Sequence, residues 1–157
     1  MSILTLVPED GAVVIDSKLL GEIHVRPDDL LMFPVGLLGF PECRRFALLR
    51  GGGEGLFWLQ SMEYPALAFL LADPFTIDST YSFDVQPSQI ADLGEADLAD
   101  VGLLSVVTLP SSRHEQPTVN LQGPLVINFR TRQAKQIVSG DDQYGVRCPV
   151  DLNRLVA

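Results

Sequence analysis

Polar and apolar residues alternate strictly along Glu22-Ile23-His24-Val25-Arg26, the pattern of a strand with one buried face. Tyr81-Ser82-Phe83-Asp84-Val85 repeats it and is expected to be a strand with Tyr81, Phe83 and Val85 inward. Other apolar runs lack alternation: 45–49, 56–59, 67–71, 101–109 and 125–128. Strands of that kind are covered on both faces, or nearly so. Turn signals separate the runs, at 34–36, 51–53, Pro74, 110–112, Gly123-Pro124 and 140–142. Helical signals are brief. Ser88 is expected to cap a short helix that runs to about Leu93 and stops at Gly94, and 96–100 has room for one more turn. Many short strands spaced by turns predict an all-β fold, an antiparallel β-barrel-like or sandwich domain with one or two short helices. No repeat or linker divides the chain, so residues 1–157 are expected to form one domain.

Composition narrows the class. The chain has 157 residues, 46% hydrophobic and 20% charged, the profile of a globular protein able to hide about 70% of its unfolded surface. Cys43 and Cys148 are far apart and form no CxxC pair, which excludes a disulfide framework and leaves too few thiolates for a metal site. The opening MSILTLVPEDG lacks the basic segment and long apolar run of a secretory signal. The apolar stretches fall short of the roughly 20 residues that a membrane-spanning helix needs. A cytoplasmic protein without membrane association is expected.

The net charge is −9, and its distribution is uneven. No lysine or arginine falls between Arg50 and Arg113, a stretch carrying Glu54, Glu63, Asp73, Asp78, Asp84, Asp92, Glu95, Asp97 and Asp100. One strongly negative region is expected from this, repelling nucleic acid and favouring encounter with a basic partner.

Groups able to do chemistry are few. His24 lies on the polar phase of its strand, and His114 lies in the loop-like Ser111-Ser112-Arg113-His114-Glu115. No GxSxG elbow accompanies them. Gly51-Gly52-Gly53-Glu54-Gly55 is followed by Leu56-Phe57-Trp58-Leu59 rather than by lysine, serine or threonine and a helix, so it reads as a hairpin connection and not a phosphate loop. Asp28-Asp29, Asp141-Asp142 and the Glu95, Asp97, Asp100 group match no calcium-loop pattern. Trp58, between Phe57 and Leu59, is expected in the core. The residues therefore predict no catalytic, cofactor or metal site.

A resemblance goes further. Phe33-Pro34-Val35-Gly36-Leu37-Leu38-Gly39-Phe40-Pro41-Glu42, followed by Arg45-Phe46-Ala47-Leu48-Leu49, resembles the opening blocks of the FliW family of flagellar assembly factors. The similarity continues through Phe57-Trp58-Leu59-Gln60-Ser61, Ala68-Phe69-Leu70, Asp73-Pro74-Phe75 and Tyr81. Val106-Val107-Thr108-Leu109 and Thr118-Val119-Asn120-Leu121-Gln122-Gly123-Pro124-Leu125-Val126-Ile127-Asn128 resemble the later blocks, so that it covers 21–144. Each block is only moderately specific, but their order and spacing together are hard to reach by chance. Where family members often have a glycine-glutamine pair before the last strand, this chain has Ala134-Lys135-Gln136.

What the resemblance implies is a non-enzymatic, partner-switching regulator without cofactors. FliW-like proteins bind flagellin and the RNA-binding translational repressor CsrA. Cytoplasmic flagellin holds the FliW-like protein, and secretion of flagellin frees it to antagonise CsrA. Synthesis is thereby coupled to export. The motif positions Gln60, Ser61, Asp73, Pro74, Phe75, Asn120 and Leu121 are the expected partner-binding residues. Two alternatives stand beside this one, a dedicated flagellin chaperone that ignores CsrA and a small-molecule-binding β-barrel.

Overall fold

A computed structural model describes residues 13–37, 39–95, 97–112, 115–140 and 143–153. The fold grows from a β-hairpin, β1 (Val13–Ser17) and β2 (Gly21–Val25), which pair only with each other. Then come β3 (Leu30–Met32), β4 (Arg45–Arg50), β5 (Leu56–Ser61) and β6 (Ala68–Ala72), each antiparallel to the next. Residues 73–100 hold two four-residue helices, α1 (Pro74–Ile77) and α2 (Pro87–Ile90), with 3-10 turns at Ala91–Leu93 and Leu98–Asp100. The long β7 (Val101–Thr108) follows, then β8 (Thr118–Val119), β9 (Leu125–Asn128), β10 (Gln133–Gln136) and β11 (Cys148–Pro149).

Closure comes from β7. Its second half pairs with β6, placing Ala72 opposite Ser105, and its first half pairs with β9, placing Leu104 opposite Leu125. β10 joins β9 antiparallel and meets β3 in parallel, Gln133 opposite Met32. Seven strands thus close in the order β3-β4-β5-β6-β7-β9-β10, and β8 with β11 extends the wall beyond β7. Closing a sheet removes the edges at which sheets otherwise aggregate.

The apolar runs lack alternation because the wall is covered on both sides. Inside, Leu31, Phe33, Phe46, Leu59, Leu71, Leu104, Leu125 and Ile127 fill the barrel. Outside, the β1–β2 hairpin lays Ile15 and Val25 on Ala47, with Leu49 alongside. A third core, of Leu56, Leu70, Ala72, Tyr81, Val107, Val119, Leu121 and Val150, lies on the outer face of β5 to β8, with Trp58 packed against it. Along β5, Leu59 therefore serves the interior and Leu56 the outer core.

Three local expectations change. Tyr81 to Val85 is extended and alternates in burial, with Tyr81 buried and Ser82 and Asp84 exposed, but it joins no ladder. Its Tyr81 and Phe83 pack into the core on the outer wall. Ser82 N–H instead donates to the Tyr144 hydroxyl at 3.2 Å. The helix expected to be capped by Ser88 starts two residues earlier, with Pro87 first and Gln86 flanking, because proline's fixed φ and missing N–H suit the first position. Pro74 is likewise the first residue of a helix rather than a simple turn. Gly94 ends the second segment with φ +89°, as its position promised. At Gly36, φ is +72° and an added Cβ would stand 2.5 Å from the Pro41 carbonyl oxygen, so only glycine fits that turn.

Candidate protein-contact surface

The turn after β6 is built from its own side chains. Asp73 N–H donates to the Gly55 carbonyl at 2.7 Å, docking the turn on the β4–β5 connection. Asp73 Oδ1 accepts from Phe75 N–H at 2.9 Å and caps α1. Pro74 is buried beneath, which leaves Phe75 on the surface, 48% exposed. Its ring meets Tyr81 edge-on at 5.6 Å, and Tyr81 in turn packs on Tyr144 at 4.6 Å. The Tyr81 hydroxyl donates to the Leu121 carbonyl at 2.7 Å. Next to it, Asn120 Oδ1 accepts from the N–H groups of Gln122 (3.1 Å) and Gly123 (2.8 Å), shaping the link between β8 and β9.

Tyr81 is thus the hinge pin between Asp73-Pro74-Phe75 and Asn120-Leu121, two blocks far apart in the chain. Gln60 and Ser61 lie elsewhere and are buried. Gln60 Oε1 accepts from the Ser17 hydroxyl at 2.6 Å, and its Nε2 donates to the carbonyls of Ser61 (3.0 Å), Leu67 (3.2 Å) and Pro65 (3.3 Å). Ser61 Oγ accepts from the N–H groups of Tyr64 (3.0 Å) and Glu63 (3.2 Å). Both side chains are fully buried, and both hold the β5–β6 connection in place.

Tyr81 is also the site's perturbed acid. Burial, and the prospect of negative charge on Tyr144 and Cys148, push its pKa up to about 12. Asp78, on the surface after α1, is held below its usual value by the Thr80 hydroxyl and N–H that bond its carboxylate. The Cys43 thiol, deep in the barrel, is raised by burial and by Glu42 and Glu63.

The acids do not form one unbroken face. Glu63 bonds the N–H groups of Arg44 and Arg45 and lies 3.8 Å from the Arg45 guanidinium. Lys135 Nζ reaches Asp92 at 3.1 Å. Arg130 shares a depression with Glu95 and Asp97, and Arg50 shares another with Glu54. The fold has carried Arg130 and Lys135 from a later part of the chain into the acidic stretch.

Among the described residues, no group of three or more His, Cys, Asp or Glu could hold a metal. His24 is exposed on β2, 3.4 Å from Glu22; His114, the Asp141-Asp142 pair and the first twelve residues lie outside the described residues. Asp29 is used locally, accepting from Arg26 N–H. No helix among the described residues is long and apolar enough to cross a membrane. Sequence reading missed Tyr144 and Asn128. The Asn128 amide donates to the carbonyls of Leu93, Gly94 and Glu95, while its oxygen accepts from Arg130 and Thr131 N–H. A buried asparagine at a strand end was the one available signal.

The fold places the molecule in the class of closed, mostly antiparallel barrels seen in a crystal structure of the flagellar assembly factor FliW. That structure is matched with a TM-score of 0.78 and 32% identity, over 87% of this chain and 95% of the other. Sequence comparison agrees. A flagellar assembly factor FliW of Pseudothermotoga lettingae is 40% identical over 128 residues, 82% of either chain. Another, from Natranaerobius thermophilus, is 36% identical over 137 residues, 87% of this chain and 91% of the relative. Residues 14–150 match the family model described as FliW protein. The chain belongs to the FliW family of flagellar assembly factors, which is not a family of enzymes.

Proposed function

We propose that this chain couples flagellin synthesis to flagellin secretion by partner switching: it binds flagellin and, when released from it, binds and antagonises the translational repressor CsrA. The observation that carries this reading is the family match over 14–150. It acts as a single cytoplasmic domain, 1–157, with no membrane and no direct nucleic-acid contact, and by binding rather than catalysis.

The contact surface is the corner where Asp73, Pro74 and Phe75 meet Asn120 and Leu121. A half-exposed aromatic ring held by a buried neighbour is a rigid anchor of the kind that dominates interface energetics. Gln60 and Ser61 take part by holding the β5–β6 connection. Calorimetric titration of the chain with CsrA from the same organism, then with flagellin, at low and high salt, tests the reading. CsrA binding that flagellin abolishes is the expected result. Binding to flagellin alone would establish the dedicated chaperone instead, and binding to neither would remove the proposal.

A further inference from the structure

The β1–β2 hairpin stands outside the closed wall. Among the described residues its two strands pair only with each other, so the far edge of β2 keeps a row of unpaired backbone N–H and C=O groups. The devices that usually blunt such an edge are missing from it. Gly21-Glu22-Ile23-His24-Val25 contains no proline, and all five residues stay in register with β1. Ile23 and Val25 pack in the hairpin core with Ile15 and Ala47. Glu22 and His24 are exposed, and the imidazole Nε2 lies 3.4 Å from the carboxylate.

Within one chain these two side chains are poorly matched across the ladder. Glu22 stands opposite Asp16, and His24 opposite Val14, so the carboxylate faces a like charge and the imidazole faces none. A second copy corrects both. Two β2 strands laid antiparallel about a two-fold axis at Ile23 place Glu22 of each copy opposite His24 of the other, and Ile23 opposite Ile23. Acid, apolar and imidazole read in one direction meet imidazole, apolar and acid in the other, so the strand is its own complement. We infer that the free edge of β2 is a self-association surface, on which a second copy of this chain pairs antiparallel and joins the two hairpins into one sheet. Such a contact is isologous, so it closes at two copies and does not propagate. A ladder this short lies below the size of a permanent interface, and the dimer forms only as concentration rises. The inference does not rest on the regulatory reading, and the hairpin core is separate from the core that holds Tyr81.

Sedimentation equilibrium of the full chain from micromolar to millimolar concentration, with amide hydrogen exchange on the same samples, is the test. A monomer–dimer equilibrium is expected, with exchange along β2 slowing as concentration rises and exchange in the barrel strands unchanged. His24→Glu sets carboxylate against carboxylate and should weaken dimerisation roughly ten-fold, the combined effect of two exposed pairs. Glu22→His together with His24→Glu restores the pairing in reverse order and should return dimerisation to within about two-fold of the wild type. Both side chains are exposed, so folding should survive each change. A monomer throughout, slowed exchange elsewhere than β2, or equal dimerisation by all three chains would overturn the inference. Slow exchange along β2 at every concentration would give the edge to another segment of the same chain, and slowing only on addition of CsrA or flagellin would give it to that partner. Either result removes the self-association.

Discussion

Gln60 and Phe75 belong to the same set of motif residues and do opposite work. Gln60 is fully buried, with its oxygen and nitrogen satisfied by Ser17 and by three backbone carbonyls. Gln60→Ala should destabilise the chain by about 2–4 kcal/mol in urea unfolding, because the carbonyls and the Ser17 hydroxyl lose their partner out of reach of water. Phe75→Ala leaves the core untouched and forfeits one edge contact with Tyr81. Its cost should stay within about 1.5 kcal/mol, while calorimetry shows the larger loss in partner affinity. Tyr81 gives a pH signature. Its folded pKa of about 12 lies above the ordinary 10.0, so the folded state holds the phenolic proton more tightly. The stability this confers is complete below pH 10 and lost as pH rises from about 10 towards about 12. Tyr81→Phe should flatten that fall, read from unfolding midpoints across the range. Cys43, buried in the barrel with a raised pKa, should resist a thiol reagent until the chain unfolds, while the half-exposed Cys148 reacts in the native state.

At the scale of elements, the runs at 45–49, 56–59, 67–71, 101–109 and 125–128 were readable as strands because they are short apolar runs bounded by turn signals. β1, β3, β8, β11 and the polar β10 were not. Three are only two or three residues long, and β1 carries no clear alternation. Such segments become strands because a neighbour offers a ladder, which is a tertiary fact. Tyr81 to Val85 shows the converse, good strand residues that pair with no neighbour. The seven candidate residues divide on the same ground: the motif blocks were visible, but nothing local told a buried amide such as Gln60 from an exposed ring such as Phe75. Segment 86–100 is held to the β9–β10 turn largely by Asn128, whose side chain bonds five backbone groups there. Asn128→Ala should cost about 2–3 kcal/mol and should raise amide exchange at Leu93 and Gly94 well above the rise at barrel strands. Uniform loss of protection would count against so local a clamp.

For the whole molecule, ring closure is the governing event. The parallel contact of Gln133 with Met32 joins residues a hundred positions apart, and barrels dominated by such pairings fold in milliseconds to seconds. Stopped-flow refolding should fall in that window. Charge works at this scale too. At −9 the folded chain repels itself, so its melting temperature should rise between low and moderate salt as screening reduces that repulsion; a fall would mean that pairs such as Lys135–Asp92 and Arg45–Glu63 outweigh the net repulsion. The sequence by itself determined an all-β chain, its principal strands, the glycine-dependent turn at Gly36 and the family, since each depends on local propensity or on ordered motifs. Only the tertiary structure decided that seven strands close into a barrel, that Gln60 is buried and Phe75 half-exposed, and that Arg130 and Lys135 interrupt the acidic stretch. Each of these turns on which remote segments become neighbours, and that is set by burying both faces of one closed wall at once.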